Sequence, residues 1–465
     1  MSAGLNRYAD GSSEMAEEQR KRYPNVLLEK VPEVADYETT FKKLRVPTHR
    51  RDDAFWESSL EHKLDALDHL RQFYIPTGQH VLLAQGFLRL LRAGLARRDP
   101  QEARVMKFLL ESGEIVSRHN RLATALTISR RPIDNGGALG FTLMGPSGAG
   151  KTSLLDRFCW MLPQEPILIE SIAGKACRIR TVPVIRVQCP TSGTKLGFCY
   201  ACLSEIDSAL GDTHYAYEAK TRRYSSDMCE VLLRAVLSSM FVGLVIVDDI
   251  QFLLKVPNQA TILLQCIANL MEDTGIPVLT VGTYMAWSVL KDRADLSSKL
   301  SSEGDEFLEA MPLNSEWVRH CGLNWKLRVT DREMIEMPPW FATRCHFLTC
   351  GIPRILRILL RSYFSDLLLG KYNVVSSETL SLSSQTSLRR LAPLLYALRC
   401  AGAGDVLTET DREVFAHYLP PQERDTPSLD DQEKYLADLA KRKEEDRKQA
   451  ASGATDENST RRVPA

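Results

Sequence analysis

Eight consecutive residues, Gly145-Pro-Ser-Gly-Ala-Gly-Lys151-Thr152, bring three glycines, a lysine and a threonine into one short run. Glycines let a backbone curl until successive N–H groups point inward, and a following helix adds its positive dipole end; the combination suits phosphate oxygens. The apolar run Gly140-Phe-Thr-Leu-Met144 stands directly before it, and the helical run Ser153-Leu-Leu-Asp-Arg-Phe directly after. Strand, loop, helix is the context such a phosphate loop requires. The sequence therefore places the phosphates of ATP on Gly145, Pro146, Ser147, Gly148, Ala149, Gly150, Lys151, Thr152 and Ser153. Lys151 is expected to bridge the β- and γ-phosphates, and the Thr152 hydroxyl to bind Mg2+.

A phosphate loop of this kind needs an acidic partner on a neighbouring strand. Gly243-Leu-Val-Ile-Val-Asp248-Asp249 supplies one. At the tip of a buried strand, Asp248 is expected to hold magnesium through water and Asp249 to polarise the attacking water. Apolar strands also end in Asp for plain solubility; the loop upstream is what favours the functional reading.

The elements that must position these groups can be read from periodicity. The chain has 465 residues, 44% of them hydrophobic, enough to bury a large core. Residues 1–52 are polar and interrupted by Pro24, Pro32 and Pro47, which reads as a flexible N-terminal arm. Residues 53–135 carry apolar residues at helical spacing, among them Leu60, Leu64, Leu67 and Leu70, and form a helical lead-in. In residues 136–330, short apolar runs at Ala138 to Met144, Val182 to Gln188, Leu244 to Val247 and Val278 to Val281 alternate with helix-length segments, the pattern of an α/β fold with a parallel sheet and crossover helices. Residues 331–420 return to helical spacing as a lid, and residues 421–465 are charged and poor in aromatics, the composition of a disordered tail.

Lysine plus arginine and aspartate plus glutamate each number 59, so no global field drives the chain onto a polyanion and any nucleic-acid surface must be local. The N-terminus lacks a secretory profile and no apolar run approaches a bilayer span, which leads to the expectation of a cytoplasmic protein with no membrane partner. The eleven cysteines fall mainly in apolar stretches and read as reduced core residues. Cys199-Tyr-Ala-Cys202 lacks a second pair for a structural zinc and shares a helical face with Leu196 and Leu203; core packing is its reading.

Taken together, the loop, the acid-tipped strand and the helical lid resemble the AAA+ class of P-loop ATPases. That resemblance implies two further site residues. Thr283, after Ile276-Pro-Val-Leu-Thr-Val-Gly282, stands where the class places the group that senses the γ-phosphate; a Thr that simply opens a loop is the other reading. Arg354, in Gly351-Ile-Pro-Arg354-Ile-Leu-Arg357, resembles the lid arginine that reaches back to the γ-phosphate, with an ordinary solvated arginine as the alternative. The class mostly has Glu where this chain has Asp249, one methylene shorter, which bears on the hydrolysis rate because a base must reach its water.

A narrower resemblance, over Phe73 to Leu360, is to the TnsC/TniB group of transposition regulators. It rests on Phe73-Tyr-Ile-Pro, Arg92-Ala-Gly-Leu-Ala-Arg-Arg98-Asp-Pro100, Leu143-Met-Gly-Pro-Ser-Gly-Ala-Gly-Lys151 and Val187-Gln-Cys-Pro190. Leu244-Val-Ile-Val-Asp-Asp-Ile-Gln251, Val281-Gly-Thr283 and the Trp317 to Trp325 region complete it. It implies a homo-oligomer, ring or helical filament, around duplex DNA, with ATP between subunits, that marks a target site and recruits a transposase together with a target-selector protein. It also implies a trans-acting arginine, for which Arg293 is the best-placed residue and a solvated helix position the alternative. DNA contacts are expected at Thr194 and Lys195, and at the basic turn Lys220, Arg222 and Arg223, through sequence-independent phosphate contacts, with an ordinary solvated polar loop as the alternative. Two other functions stay open: a replication-initiator or clamp-loader-like ATPase, and a signalling scaffold that uses ATP as a switch with little hydrolysis.

Overall fold

Runs rich in Val, Ile and Leu, too short for a helix and free of helical spacing, form buried strands, and the computed structural model shows seven: β1 (Gly140–Met144), β2 (Ile167–Ile172), β3 (Lys175–Thr181), β4 (Val184–Gln188), β5 (Leu244–Asp248), β6 (Val278–Val281) and β7 (Asp305–Phe307). The structure describes residues 25–47, 52–118, 137, 139–172, 174–330, 336–421, 434 and 441. Five strands make one parallel sheet in the order β4-β5-β6-β1-β7, and β2 pairs with β3 as a separate antiparallel hairpin. The expected α/β class and crossover helices are therefore present. The hairpin and β7 were not foreseen: β7 is a run of Asp-Glu-Phe that pairs with β1 through its backbone and carries no hydrophobic pattern.

Alternate residues of the strands feed two cores, one on each face of the sheet. Leu143, Ile246, Leu279 and Val281 point into one, with the N-terminal and lid helices; Met144, Val245, Val247 and Val278 point into the other. Thr142 and Thr280, fully buried at the sheet centre, satisfy one another across a 2.8 Å Oγ1–Oγ1 hydrogen bond.

The helices follow their signals. α1 (Tyr37–Leu44) is capped by Asp36, α2 (Gly78–Ala96) opens on a Thr77–His80 capping box, and α3 (Ala103–Arg118) closes the lead-in. α4 (Lys151–Trp160) leaves the phosphate loop; α5 (Lys195–Leu210), α6 (Tyr215–Thr221), α7 (Ser226–Ser239) and α8 (Pro257–Thr274) cover the sheet. Cys199 and Cys202 lie on the buried face of α5, fully within the second core. The lid comprises α9 (Ser315–Trp325), α10 (Phe341–Thr349), α11 (Pro353–Leu368), α12 (Ser377–Ser387) and α13 (Ala392–Gly402), followed by the short α14 (Glu409–Val414). α9 packs with α10 rather than with the sheet: Trp317 Nε1 donates to the Ala342 carbonyl at 2.8 Å and the Trp325 and Phe341 rings stand 4.8 Å apart. The lid thus begins before residue 331.

The arm expected over residues 1–52 is folded where it is described. Leu27, Val31, Phe41 and Leu44 are buried in the main core, and Arg92 of α2 donates to the carbonyls of Leu28, Val31 and Pro32. Pro32 and Pro47, which suggested a loose tether, follow two short helices, Val26–Glu29 and Tyr37–Leu44, and Pro24 lies outside the described residues. Residues 420–465 form a second unit, and the tail expected at 421–465 lies almost wholly outside the described residues. Among the described residues no helix is long and apolar enough to cross a membrane.

One close approach joins the lead-in to the sheet. A Cβ on Gly94 of α2 would lie 2.3 Å from Pro277 Cγ, at the start of β6, whereas a Cβ on Gly86 of the same helix meets nothing within 4 Å. Gly94→Ala is therefore expected to destabilise by about 1–3 kcal/mol through overpacking. Gly86→Ala is expected to stabilise by about 1 kcal/mol through helix propensity. Urea unfolding of the two variants reads the contrast.

Candidate nucleotide-binding site

Parallel pairing brings the chemistry to one edge. Leu143 stands opposite Val281, Val247 opposite Thr280, and Gln188 opposite Asp248, so β1, β4, β5 and β6 end at nearly one level. The residues that follow those ends are the phosphate loop, Asp249 and Gly282-Thr283, the edge where open parallel sheets take ligands.

The loop curls as its glycines predict. Gly150 has φ 113°, a left-handed conformation that places the N-terminus of α4 against the loop. Lys151, buried, donates from Nζ to the carbonyls of Gly145 at 2.7 Å and Pro146 at 2.9 Å. Burial lowers its pKa to about 8, and the nearby Asp248 and Asp249 charges oppose that shift. Thr152 is exposed in the first turn of α4. The lid reaches the same loop: the Arg354 amide donates to the Gly148 carbonyl at 3.2 Å and its guanidinium to Ser147 Oγ at 3.4 Å.

Asp248 is nearly buried at the end of β5. Burial raises its pKa, and Arg186 of β4 counters that rise by donating to Asp248 Oδ2 at 2.6 Å while its other nitrogen bonds Asp156 at 2.5 Å. Asp249 follows in a left-handed conformation with φ 60°. Both its oxygens are engaged: Gln188 donates to Oδ2 at 3.0 Å and Gln251 to Oδ1 at 2.7 Å. Gln251 Oε1 in turn accepts from the Thr283 amide at 3.0 Å. Asp249 and Thr283 are thus linked by two hydrogen bonds through a single glutamine.

The donor set suits magnesium. No group of three or more His, Cys, Asp or Glu among the described residues forms a metal cage. Magnesium bound with a nucleotide needs no cage, because phosphates and waters fill most of its octahedron and one or two protein oxygens complete it. The Thr152 hydroxyl and the Asp248 carboxylate are of the right kind, both beside the loop that would present the phosphates.

Sequence reading missed a cavity beside Ala149, Gly150 and Ser153, lined among others by Tyr74, His80, His320 and Asn324. Tyr74 Oη, His80 Nε2 and His320 Nδ1 are buried there without a hydrogen-bond partner. His80 Nδ1 accepts from the Thr77 amide, so its proton sits on Nε2, the unpartnered donor. Burial holds both imidazoles neutral, with pKa values lowered to about 3 for His80 and about 4 for His320. Neither histidine lies in a motif; the signal that could have found them is their position on apolar helix faces.

The remaining expected residues lie elsewhere. Arg293 precedes a short helix, bonded to Thr261 Oγ1 at 2.9 Å and to the Val289 carbonyl at 2.5 Å. Thr194 caps α5 by accepting from the Gly197 amide. The Lys195 ammonium is taken up by Asp227 at 2.6 Å and Glu230 at 2.8 Å, which weakens it as a phosphate contact. Lys220, Arg222 and Arg223 are exposed at the end of α6 beside the exposed Tyr217, with the Lys220 Nζ 5.3 Å over the Tyr200 ring.

Residues 134–290 match the AAA domain family. No curated protein matches the chain. Among solved structures, the chain is similar to the ORC1 protein of Aeropyrum pernix in complex with DNA, at 17% identity and a TM-score of 0.37, over 62% of this chain and 66% of that one. It is also similar to domain III of the Thermotoga maritima replication initiation protein DnaA, at 13% identity and a TM-score of 0.33, over 61% of this chain and 91% of that one. A Walker-type ATPase of Pyrococcus abyssi matches at 15% identity and a TM-score of 0.36, over 66% of this chain and 86% of that one.

Two outcomes follow from the electrostatics. The Asp248 side chain is 10% exposed and that of Asp156 is 56% exposed, though both hold Arg186. Arg186→Met is expected to cost about 3 kcal/mol by stranding a buried charge, and Asp156→Asn less than about 1 kcal/mol; denaturant unfolding separates them. For His80 and His320 the folded pKa lies below the unfolded value, so the unfolded chain binds more protons as pH falls below 6.5. Stability is held above pH 6.5 and declines towards pH 4 by about 1.4 kcal/mol per unit for each histidine. The loss between pH 7 and pH 5 is expected to shrink by about 2 kcal/mol in His320→Asn relative to the parent.

Proposed function

On the premise that residues 134–290 are an AAA-type P-loop ATPase domain, we propose that the chain is an ATP-dependent assembly switch on duplex DNA that regulates transposition. The observation that carries the switch is the convergence of the phosphate loop, Asp248, Asp249, Thr283 and Arg354 on one sheet edge, with the lid bonded directly to the loop. ATP bound there contacts sheet and lid at once, so the presence of a terminal phosphate sets their relation. Thr152 and Asp248 would hold magnesium, which would supply charge neutralisation at the phosphates.

Hydrolysis is slow in this reading. Asp249 is one methylene shorter than glutamate, and each of its oxygens accepts a glutamine N–H, from Gln188 and Gln251, which holds the carboxylate back and draws on its basicity towards a water. The same observation favours a second reading, an ATP-switched scaffold with very little turnover.

The transposition role rests on the sequence resemblance to the TnsC/TniB group, and the DNA role on the exposed basic turn at Lys220, Arg222 and Arg223 with Tyr217 beside it. Contacts of this kind are weak singly and add up over many subunits, which fits a chain whose 59 basic and 59 acidic residues cancel. In an oligomer Arg293 is the candidate to reach a neighbour's nucleotide, and the transposase and a target selector are the partners.

Phosphate release and electron microscopy, each with and without duplex DNA, test the proposal. The parent is expected to form rings or filaments on DNA with ATP analogue and to change its turnover when DNA is added, and Lys151→Ala to do neither. Replacing Arg222 and Arg223 with Glu is expected to abolish DNA-bound assembly while sparing ATP binding. A parent that turns over ATP identically with and without DNA and never assembles refutes the DNA switch.

A further inference from the structure

The phosphate loop has a protein occupant. The Ser147 amide, one of the N–H groups the loop offers, donates to the His417 carbonyl at 3.1 Å. The Thr283 hydroxyl, on the opposite side of the site, shares a 2.9 Å hydrogen bond with His417 Nδ1. A single residue from the segment that follows the last lid helix therefore engages both the loop and the group expected to meet a terminal phosphate.

That residue is held out by its own small fold. Thr408 caps α14 by accepting from the Asp411 amide at 3.1 Å. The amides of Tyr418 and Leu419 both return to the Phe415 carbonyl, at 2.8 and 3.1 Å, and close a tight turn with His417 at its apex. Leu407 and Leu419 are buried against Ala397 of α13, with Phe415 and Cys400 packed around them, a satellite cluster apart from the two cores of the sheet. The segment is thus a strap fastened to the lid at both ends, with His417, two residues before the second anchor, in the nucleotide site.

Carbonyl and phosphate oxygens are both acceptors, and one N–H cannot serve the two at full strength. The Thr283 hydroxyl faces the same choice between His417 and a phosphate. We infer that the Leu407–Leu419 strap is a latch that closes the nucleotide site through His417 and is displaced by the phosphates of ATP. The inference rests on the reading of this edge as an ATP site. It makes the strap, and not only the lid, respond to nucleotide, and the strap leads directly into the segment from Pro420 onward, whose polar sequence suits it to docking partner proteins. A latch closed nine-tenths of the time lowers apparent ATP affinity about tenfold.

Hydrogen exchange on the full-length chain and binding of a non-hydrolysable ATP analogue test this together. Amides of residues 409–419 are expected to lose protection when the analogue is bound with magnesium. Leu419→Asp, which unseats the strap from the satellite cluster without entering either main core, is expected to bind the analogue about three- to thirtyfold more tightly than the parent. Unchanged protection of the strap at saturating analogue overturns the latch, whatever the variant does. So does a folded Leu419→Asp that binds no more tightly than the parent. If the parent itself binds no analogue, the failure belongs to the ATP reading and the latch falls with it.

Discussion

Everything at this site depends on the register of a parallel sheet. Four crossovers return the chain to the same edge, and pairing of Leu143 with Val281, Val247 with Thr280 and Gln188 with Asp248 brings four strand ends to nearly one level. Because side chains alternate, a slip of one residue would turn Val245 and Val247 into the wrong core and swing Asp248 away from the loop. The two hydrophobic faces hold that register, so the position of a carboxylate is set by the burial of valines and leucines that never touch a ligand.

Within that frame the polar groups answer one another. Lys151 is buried at a cost that lowers its pKa to about 8, yet it stays mostly cationic at neutral pH, held by two loop carbonyls and the field of Asp248 and Asp249. Asp248 is buried too, which raises its pKa, and the Arg186 guanidinium opposes that rise. The unit is therefore a balanced set of charges before any nucleotide arrives, and phosphates with magnesium can enter by exchange of partners. Exchange needs less reorganisation than building the charge pattern afresh.

Much of this was legible in the sequence because it is local. Strand, glycine loop and helix are adjacent in the chain, and their roles follow from residue types in order; Asp248 and Asp249 are visible as the tip of an apolar run. What was not legible is long-range. Gln188 reaches Asp249 from the end of the neighbouring strand, Arg186 reaches Asp248 across a strand pair, and His80 and His320 meet only because the lead-in and the lid close over the loop. The arm was misread for a related reason: prolines at Pro24, Pro32 and Pro47 look like a tether, but Leu27, Phe41 and Leu44 find their apolar partners in distant parts of the chain. Lys195 looked free on a polar loop, and its neutralising acids, Asp227 and Glu230, lie on another helix.

The shortened acid fits this arrangement. A carboxylate one methylene shorter than glutamate cannot reach as far over the loop, and here it is tied on both oxygens to glutamines, one of which also holds the Thr283 amide. Thr283 in turn bonds His417. A chain of single hydrogen bonds thus runs from Asp249 through Gln251 and Thr283 to His417 on the strap. A change at any link is felt at the next, because a buried polar group that loses its partner costs about 1–3 kcal/mol and must find another. Such a chain holds one arrangement of the sheet edge and the strap until one of its links changes partner.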